Sequence, residues 1–260
     1  TEVPVPKMLS YCEDDSIVGT PFYLMSFLDG RVLNDQSLPD LSQSDRGAIY
    51  QEMNRVIAAI HQVDYQAIGL ESFGKPGNYF ARQVGRWSRQ VQDSTIPIPA
   101  ALTKLMEWLP HHIPTDDETT LVHGDFRLDN MIFDHHENKV IGVLDWELST
   151  LGHPMADFSY QCMAWRIPPT LWRGIGGLDL IGLGIPSEQE YIRWYETNSS
   201  RTIGSDWNFY MAYNFFRIAA ILHGVAQRAV DGNASASDAA ENGQKSGLLA
   251  EIGLECVGIA

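Results

Sequence analysis

Residues 121–147 constrain this chain more than any other stretch: Leu-Val-His-Gly-Asp-Phe-Arg-Leu-Asp-Asn-Met-Ile-Phe, a short polar turn, then Val-Ile-Gly-Val-Leu-Asp-Trp-Glu, with Lys139 opening the second run. An apolar strand over 119–122 leads into a polar loop over 123–130, and apolar strands over 131–133 and 139–144 return as a hairpin around His135–Asn138. The hairpin brings Asp125, Asn130 and Asp145 toward one point. Two carboxylates and an amide are hard oxygen donors, too few to fill a coordination sphere, which suits a Mg²⁺ ion that keeps waters and phosphate oxygens as its other ligands. Taken alone, His-Gly-Asp is also an ordinary turn with Asp125 bonded to its own backbone. Asn130 and Asp145 at their spacings, between apolar strands, argue against that reading.

The 260 residues suffice for one large domain or two lobes with a substantial core. A net charge of −15 excludes a nucleic-acid or anionic-membrane partner, because both need clustered Lys and Arg. It does not name a substrate. Cys12, Cys162 and Cys256 are odd in number, widely spaced and form no metal pattern, which fits a reducing, cytoplasmic setting. The most apolar stretch, 207–230, is broken by Asn214, Arg217, His223 and Gln227 and reads as a buried helix, not a membrane span.

Along the chain, apolar strands are expected over 7–12 and 21–27, joined by the acidic turn Glu13–Ser16. Ser42 is placed to cap a helix whose Ile49, Met53, Val56, Ile57 and Ile60 share a face and which ends at His61. Gly74–Asn78 reads as a turn and cap before a helix with Phe80, Val84, Trp87 and Val91 on its packed side, and Arg82, Arg86 and Arg89 on a solvated one. A helix over 99–112 precedes Asp116-Asp117-Glu118, read as a solvated loop. The paired histidines 111–112 and 135–136 are poor metal ligands, since adjacent side chains diverge. Pro154 suits the first position of a helix, and Asp157 inside that helix needs a partner if buried. The glycine-rich run 168–186 lacks the frame of a phosphate loop and reads as a surface loop shaping a pocket. Ser187 and Glu190 form a capping box for a helix to Tyr195, a long helix starts at Asp206 or Trp207, 231–238 is a polar loop, and 248–257 a short last helix.

His123, Gly124, Asp125, Asn130 and Asp145 match the catalytic loop and metal aspartate of the aminoglycoside phosphotransferase and choline kinase family, small-molecule kinases that the chain resembles. The resemblance implies an α+β, protein-kinase-like two-lobe fold: 1–28 as the last strands of the nucleotide lobe and its hinge, 29–260 as a mostly helical catalytic lobe. It implies ATP and Mg²⁺ as cofactors, a small-molecule acceptor, His123 and Asp125 in the catalytic loop with Asp125 on the acceptor hydroxyl, Asn130 and Asp145 on the metal, and Arg127 on the transferred phosphoryl. It further implies that backbone groups at Ser26 and Leu28 meet adenine and that Asp157 braces the catalytic loop. Glu147 has three open roles: assisting the metal, touching substrate, or stabilising its loop. The glycine-rich loop and phosphate-binding lysine of the family have no counterpart here, so the chain is expected to be a piece of a longer protein. Within the family, His-Gly-Asp-Phe-Arg-Leu-Asp-Asn and Leu-Asp-Trp-Glu-Leu-Ser-Thr-Leu-Gly-His-Pro are most similar to kinase domains fused to acyl-CoA dehydrogenases, which implies a hydroxyacyl-CoA-type acceptor served by cations such as Arg82, Arg86, Arg166 or Arg173. An aminoglycoside acceptor, with a carboxylate-lined pocket, and a non-catalytic nucleotide-binding scaffold are the alternatives.

Overall fold

The computed structural model describes residues 1–232 and 239–259. The chain opens on an antiparallel pair, β1 (Met8–Cys12) and β2 (Phe22–Met25), whose turn is held by Asp14 accepting from the Ser16 backbone at 2.9 Å. After Gly30 the backbone forms β3 (Arg31–Val32), the edge of an antiparallel sheet ordered β3–β5–β6, with β5 at Met131–Phe133 and β6 at Val140–Val143. The β5–β6 hairpin falls where the alternation predicts it. β4 (Thr120–Val122) instead pairs with β7 (Thr150–Gly152), a strand that, like β3, has no signal in the sequence. Strands of two and three residues are too short to show a period.

Helices form the bulk. α1 (Gln43–His61) begins where the Ser42 hydroxyl accepts the Asp45 N–H, and it lies against α6 (Glu188–Ser199), whose Ser187–Glu190 capping box is complete. α6 runs a turn beyond the expected Tyr195. α2 (Tyr79–Gln92) starts at Asn78, but the expected cap is absent: Asn78 is left-handed (φ 51°), and its N–H donates to Asp117 at 2.7 Å. The acidic run is the exposed loop expected of it, and it also makes specific contacts. Asp117 holds Asn78, and Glu118 pairs with Arg201 at 2.6 Å. α3 (Ala100–Trp108) tightens into a 3-10 turn over Leu109–His111, short of the expected end, and a four-residue helix, α5 (Leu180–Leu183), sits in the run read as irregular.

α7 (Trp207–Val230) is the central post, packed against α2, α3, α4 (Pro154–Cys162) and α8 (Ala239–Cys256). α8 is nearly twice the length expected. Of the polar loop expected over 231–238, Asp231 and Gly232 form a turn and the rest lies outside the described residues. The core is aromatic, with Tyr50, Phe158, Tyr191, Tyr195, Tyr213, Phe215 and Phe216 fully buried. Such side chains each contribute roughly 1.5–3 kcal/mol on burial, so these helices form a rigid base for the short strands. No helix among the described residues is long and apolar enough to cross a membrane. The fold is mixed α and β, with small sheets at one end of a helical body.

Candidate active site

The loop 123–130 leaves β4 and enters β5, so both its ends are fixed by sheet pairing. Its first turn needs glycine: Gly124 has φ 83°, and a Cβ there would lie 2.5 Å from the Leu148 carbonyl oxygen. The turn is tied down from α4. Asp157, with its side chain 1% exposed, accepts the His123 N–H on Oδ2 at 2.6 Å and the Gly124 N–H on Oδ1 at 2.8 Å.

Behind Asp157 lies His61 of α1, its Nε2 at 3.4 Å from Oδ2 and its Nδ1 at 2.7 Å from the Tyr195 hydroxyl. A neutral imidazole protonated on Nε2 satisfies both contacts. Burial pushes the Asp157 carboxyl up, but the hydrogen bond and charge of His61, the charge of His123 and the His123 N–H outweigh it and hold it below its ordinary value. Burial dominates at His61 and lowers its pKa against the pull of Asp157; burial likewise lowers His153 against Asp116. A histidine depressed in the folded state binds fewer protons there than when unfolded, so its contribution is complete above about pH 6.5 and is lost as pH falls through the folded value. The melting temperature is therefore expected to be flat from pH 7 to 8 and to fall as pH drops from 6.5 toward 5. A melting series in matched ionic strength checks this, and an unchanged melting temperature at pH 5 would contradict the buried-histidine account.

His123 is itself buried. Its Nδ1 accepts the Asp125 N–H at 3.2 Å, and its Nε2 bonds the Leu144 carbonyl at 2.9 Å, while the Leu144 N–H donates to the Asn130 carbonyl at 2.8 Å. The two loops that carry Asp125 and Asp145 are thereby joined. His123 meets the site through backbone, not at its open face.

Asp125 is the focus. Asn130 Nδ2 donates to its carbonyl at 2.9 Å and to its Oδ2 at 3.2 Å, the Tyr160 hydroxyl donates to Oδ1 at 2.8 Å, and Arg127 Nε lies 3.1 Å from Oδ1. Arg127 also approaches Asp129 at 3.4 Å, which Arg173 holds at 2.7 Å. Asp145 follows β6 in the left-handed region, φ 64° and ψ 54°, uncommon for a residue with a side chain. Its exposed carboxylate makes no hydrogen bond or ion pair among the described residues. An unpaired carboxylate beside the Asn130 amide loop is a donor set suited to Mg²⁺, which takes one or two protein ligands and completes its shell with phosphate and water. Among the described residues no group of three or more His, Cys, Asp or Glu would hold a metal unaided.

Asp145 and Glu147 line one end of a largely apolar cleft of about 670 Å³ that reaches Met25 at the end of β2. Glu147 is exposed there. Ser26 and Leu28 lie just beyond Met25; the Ser26 N–H is already bonded to the Lys7 carbonyl at 2.8 Å, and Leu28 packs its side chain against Gly142. Beside Arg127 and Tyr160, a small cavity of about 40 Å³ has Phe126, Met163, Ile167 and Trp172 as its apolar wall and is bordered by Arg173 and Asp129. Of the cations proposed from sequence, Arg173 is here, whereas Arg166 is paired with Glu188 at 2.8 Å, Arg82 bonds the Lys75 carbonyl, and Arg86 lies over Trp87.

Sequence reasoning missed Tyr160, Arg217, His61 and Asp129. The signal for Tyr160 was its place one helical turn after Asp157, and for Arg217 its position in an otherwise apolar helix.

Comparison with known proteins agrees with this geometry. The model of the phosphotransferase enzyme family matches residues 1–184. Mouse acyl-CoA dehydrogenase family member 10 is 49% identical over 252 residues, 96% of this chain and 24% of its own length; human acyl-CoA dehydrogenase family member 11 is 39% identical over 254 residues, 97% and 33%. The chain thus spans a quarter to a third of these relatives. A crystal structure of a Ralstonia eutropha protein described as an aminoglycoside phosphotransferase superposes with a TM-score of 0.95 at 55% identity, covering 98% of this chain and 78% of that one. An aminoglycoside phosphotransferase in ternary complex with AMP-PNP and hygromycin B shares the fold at 19% identity and a TM-score of 0.61, covering 96% and 77%. With the family model matched over residues 1–184 and relatives of this identity, the chain belongs to the phosphotransferase enzyme family.

Proposed function

We propose that this chain serves an ATP- and Mg²⁺-dependent kinase that transfers a γ-phosphoryl group to a hydroxyl of a small molecule, a hydroxyacyl-CoA-type metabolite. One observation carries the reading: Asp125 is contacted by Tyr160 and Arg127, which border the small pocket, while its loop is hydrogen-bonded through His123 to the Leu144 carbonyl, next to the unpaired Asp145 at the large cleft. In that arrangement nucleotide phosphates lie toward Asp145 and Asn130, and the acceptor hydroxyl approaches Asp125 from the pocket. The hydroxyl oxygen bonds to phosphorus as the bond to the ADP oxygen breaks, and the hydroxyl proton passes to Asp125. Arg127 offsets charge on the moving group, and Mg²⁺ held by Asn130 and Asp145 would neutralise phosphate oxygens.

The pocket favours an acyl acceptor over an aminoglycoside. Phe126, Met163, Ile167 and Trp172 give it an apolar wall among polar neighbours, and its carboxylate, Asp129, is already taken by Arg173 and Arg127. A polycation needs uncommitted carboxylates, whereas an acyl group finds apolar walls and an anionic tail finds Arg173. The names of the mouse and human relatives support a thioester.

ADP release by the full-length protein, with Mg²⁺-ATP and panels of hydroxyacyl-CoA thioesters and aminoglycosides, tests this. Thioester-dependent release supports it; release with aminoglycosides alone overturns the acceptor, and absence of nucleotide binding moves the reading to a scaffold. Arg127→Ala is expected to lower kcat about 10²-fold, the scale for losing one preorganised donor. Unchanged turnover would remove Arg127 from the phosphoryl site.

A further inference from the structure

Two helices bring to the Gly124–Asp125 turn side chains that lie outside the family motif, one on the Asp125 carboxylate and one on the Gly124 carbonyl. Tyr160 is one turn beyond Asp157 on α4, so both share the face turned toward the loop. Its hydroxyl donates to Asp125 Oδ1 at 2.8 Å. Arg217 of α7 lies against the Tyr160 ring, its guanidinium carbon 5.2 Å from the centroid, within cation–π range. The same guanidinium donates to the Gly124 carbonyl at 2.6 Å. No carboxylate pairs with Arg217 among the described residues. A cation is costly to bury without a counter-ion. What Arg217 does contact is the peptide carbonyl before Asp125 and the ring of the residue that grips the Asp125 carboxylate.

A carboxylate offers about four lone-pair sites. The Tyr160 hydroxyl donates to Oδ1 at 2.8 Å and Asn130 takes one direction of Oδ2 at 3.2 Å, while Arg127 Nε approaches Oδ1 at 3.1 Å as an ion pair that makes no hydrogen bond. On Oδ2 one direction stays open for an incoming hydroxyl. We infer that Arg217 and Tyr160 form an orienting brace that turns this open direction of Asp125 toward the acceptor, making both of them positioning residues for phosphoryl transfer. Without the phenol the carboxylate is free to swing about its Cβ–Cγ bond. Misplacement of a reacting group by about 1 Å costs roughly 10²-fold in rate, while ground-state binding of nucleotide, made elsewhere, is untouched. Arg217 acts one step back, by holding the ring and the Gly124 carbonyl together. The inference rests on Asp125 acting on the acceptor hydroxyl as proposed above.

The test uses the full-length protein with Mg²⁺-ATP and two acceptor probes read in the same assay, a hydroxyacyl-CoA thioester and water, so that ATP hydrolysis supplies a signal if the thioester is not used. Tyr160→Phe and Arg217→Met are each expected to lower kcat about ten- to hundredfold, with KM for ATP within about twofold, and Arg217→Lys, which keeps a cation under the ring, to recover part of the loss. If Tyr160→Phe turns over within twofold of the parent while Asp125→Asn is inactive, the brace is wrong and the function stands. If Asp125→Asn retains turnover, the proposed function falls and the brace with it. Loss of ATP binding or of the melting transition in both Tyr160→Phe and Arg217→Met, without rescue by Arg217→Lys, assigns the pair a structural role only and overturns the inference.

Discussion

Asp125→Asn is expected to lower kcat about 10³-fold, midway in the range for removing a positioned general base, with the melting temperature nearly unchanged. The substitution keeps the shape of the side chain, and the loop around it is held by Asp157, His123 and Asn130, not by the Asp125 carboxylate. What is lost is the counter-ion of Arg127 and, in the proposed reaction, the charge that receives the hydroxyl proton. Nucleotide binding should persist, because Asp145 and the cleft are unaltered. Steady-state kinetics with an accepted substrate, paired with Mg²⁺-ATP titration, separates the two quantities. Turnover within a few-fold of the parent would mean that Asp125 has no part in proton transfer.

The second large effect is on stability. Asp157→Asn leaves one acceptor oxygen where two backbone N–H groups now find two, and sets an amide N–H against one of them. Leaving a buried donor unpaired and breaking a buried charged network costs about 3 kcal/mol or more. At this chain length that is a fall of roughly 6–12 °C in melting temperature. Activity measured well below the new transition should fall as well, since His123 and Gly124 set the backbone angle at which Asp125 leaves the turn. A stable but inactive variant would place Asp157 in the chemistry instead of beneath it, and a variant unchanged in both would show that other contacts hold the turn.

Much of the fold was legible because its signals are local. Ser187 and Glu190 cap α6 through their own backbone, Ser42 caps α1, Pro154 opens α4, and the alternation over 131–144 folds back as the β5–β6 hairpin. The short strands β3 and β7 were illegible, because two or three residues carry no periodicity and exist as strands only where a partner passes. Asn78 carried the right residue type for a cap, yet Asp117, 39 positions later, took its N–H. At the site, Asp125, Asn130 and Asp145 are spaced along one hairpin and could be read from their order. Tyr160 and Arg217 come to Asp125 and Gly124 from 35 and 93 residues away, and no spacing rule reaches that far. An arginine in the middle of a buried helix posed the question of its partner; only packing supplied the answer.

The division of labour along α4 bears on how such an enzyme can change its diet. Asp157 and Tyr160 bind the helix to the catalytic loop, so drift at either position disturbs the reaction. The pocket wall continues past the helix end through Met163 and Ile167 to Trp172 and Arg173, on a segment that holds none of the residues assigned to phosphoryl transfer. Insertions and substitutions there change what enters without moving what reacts. Under the proposed function, acceptor preference is thus the evolvable part of this molecule, free to change first at residues 163–173.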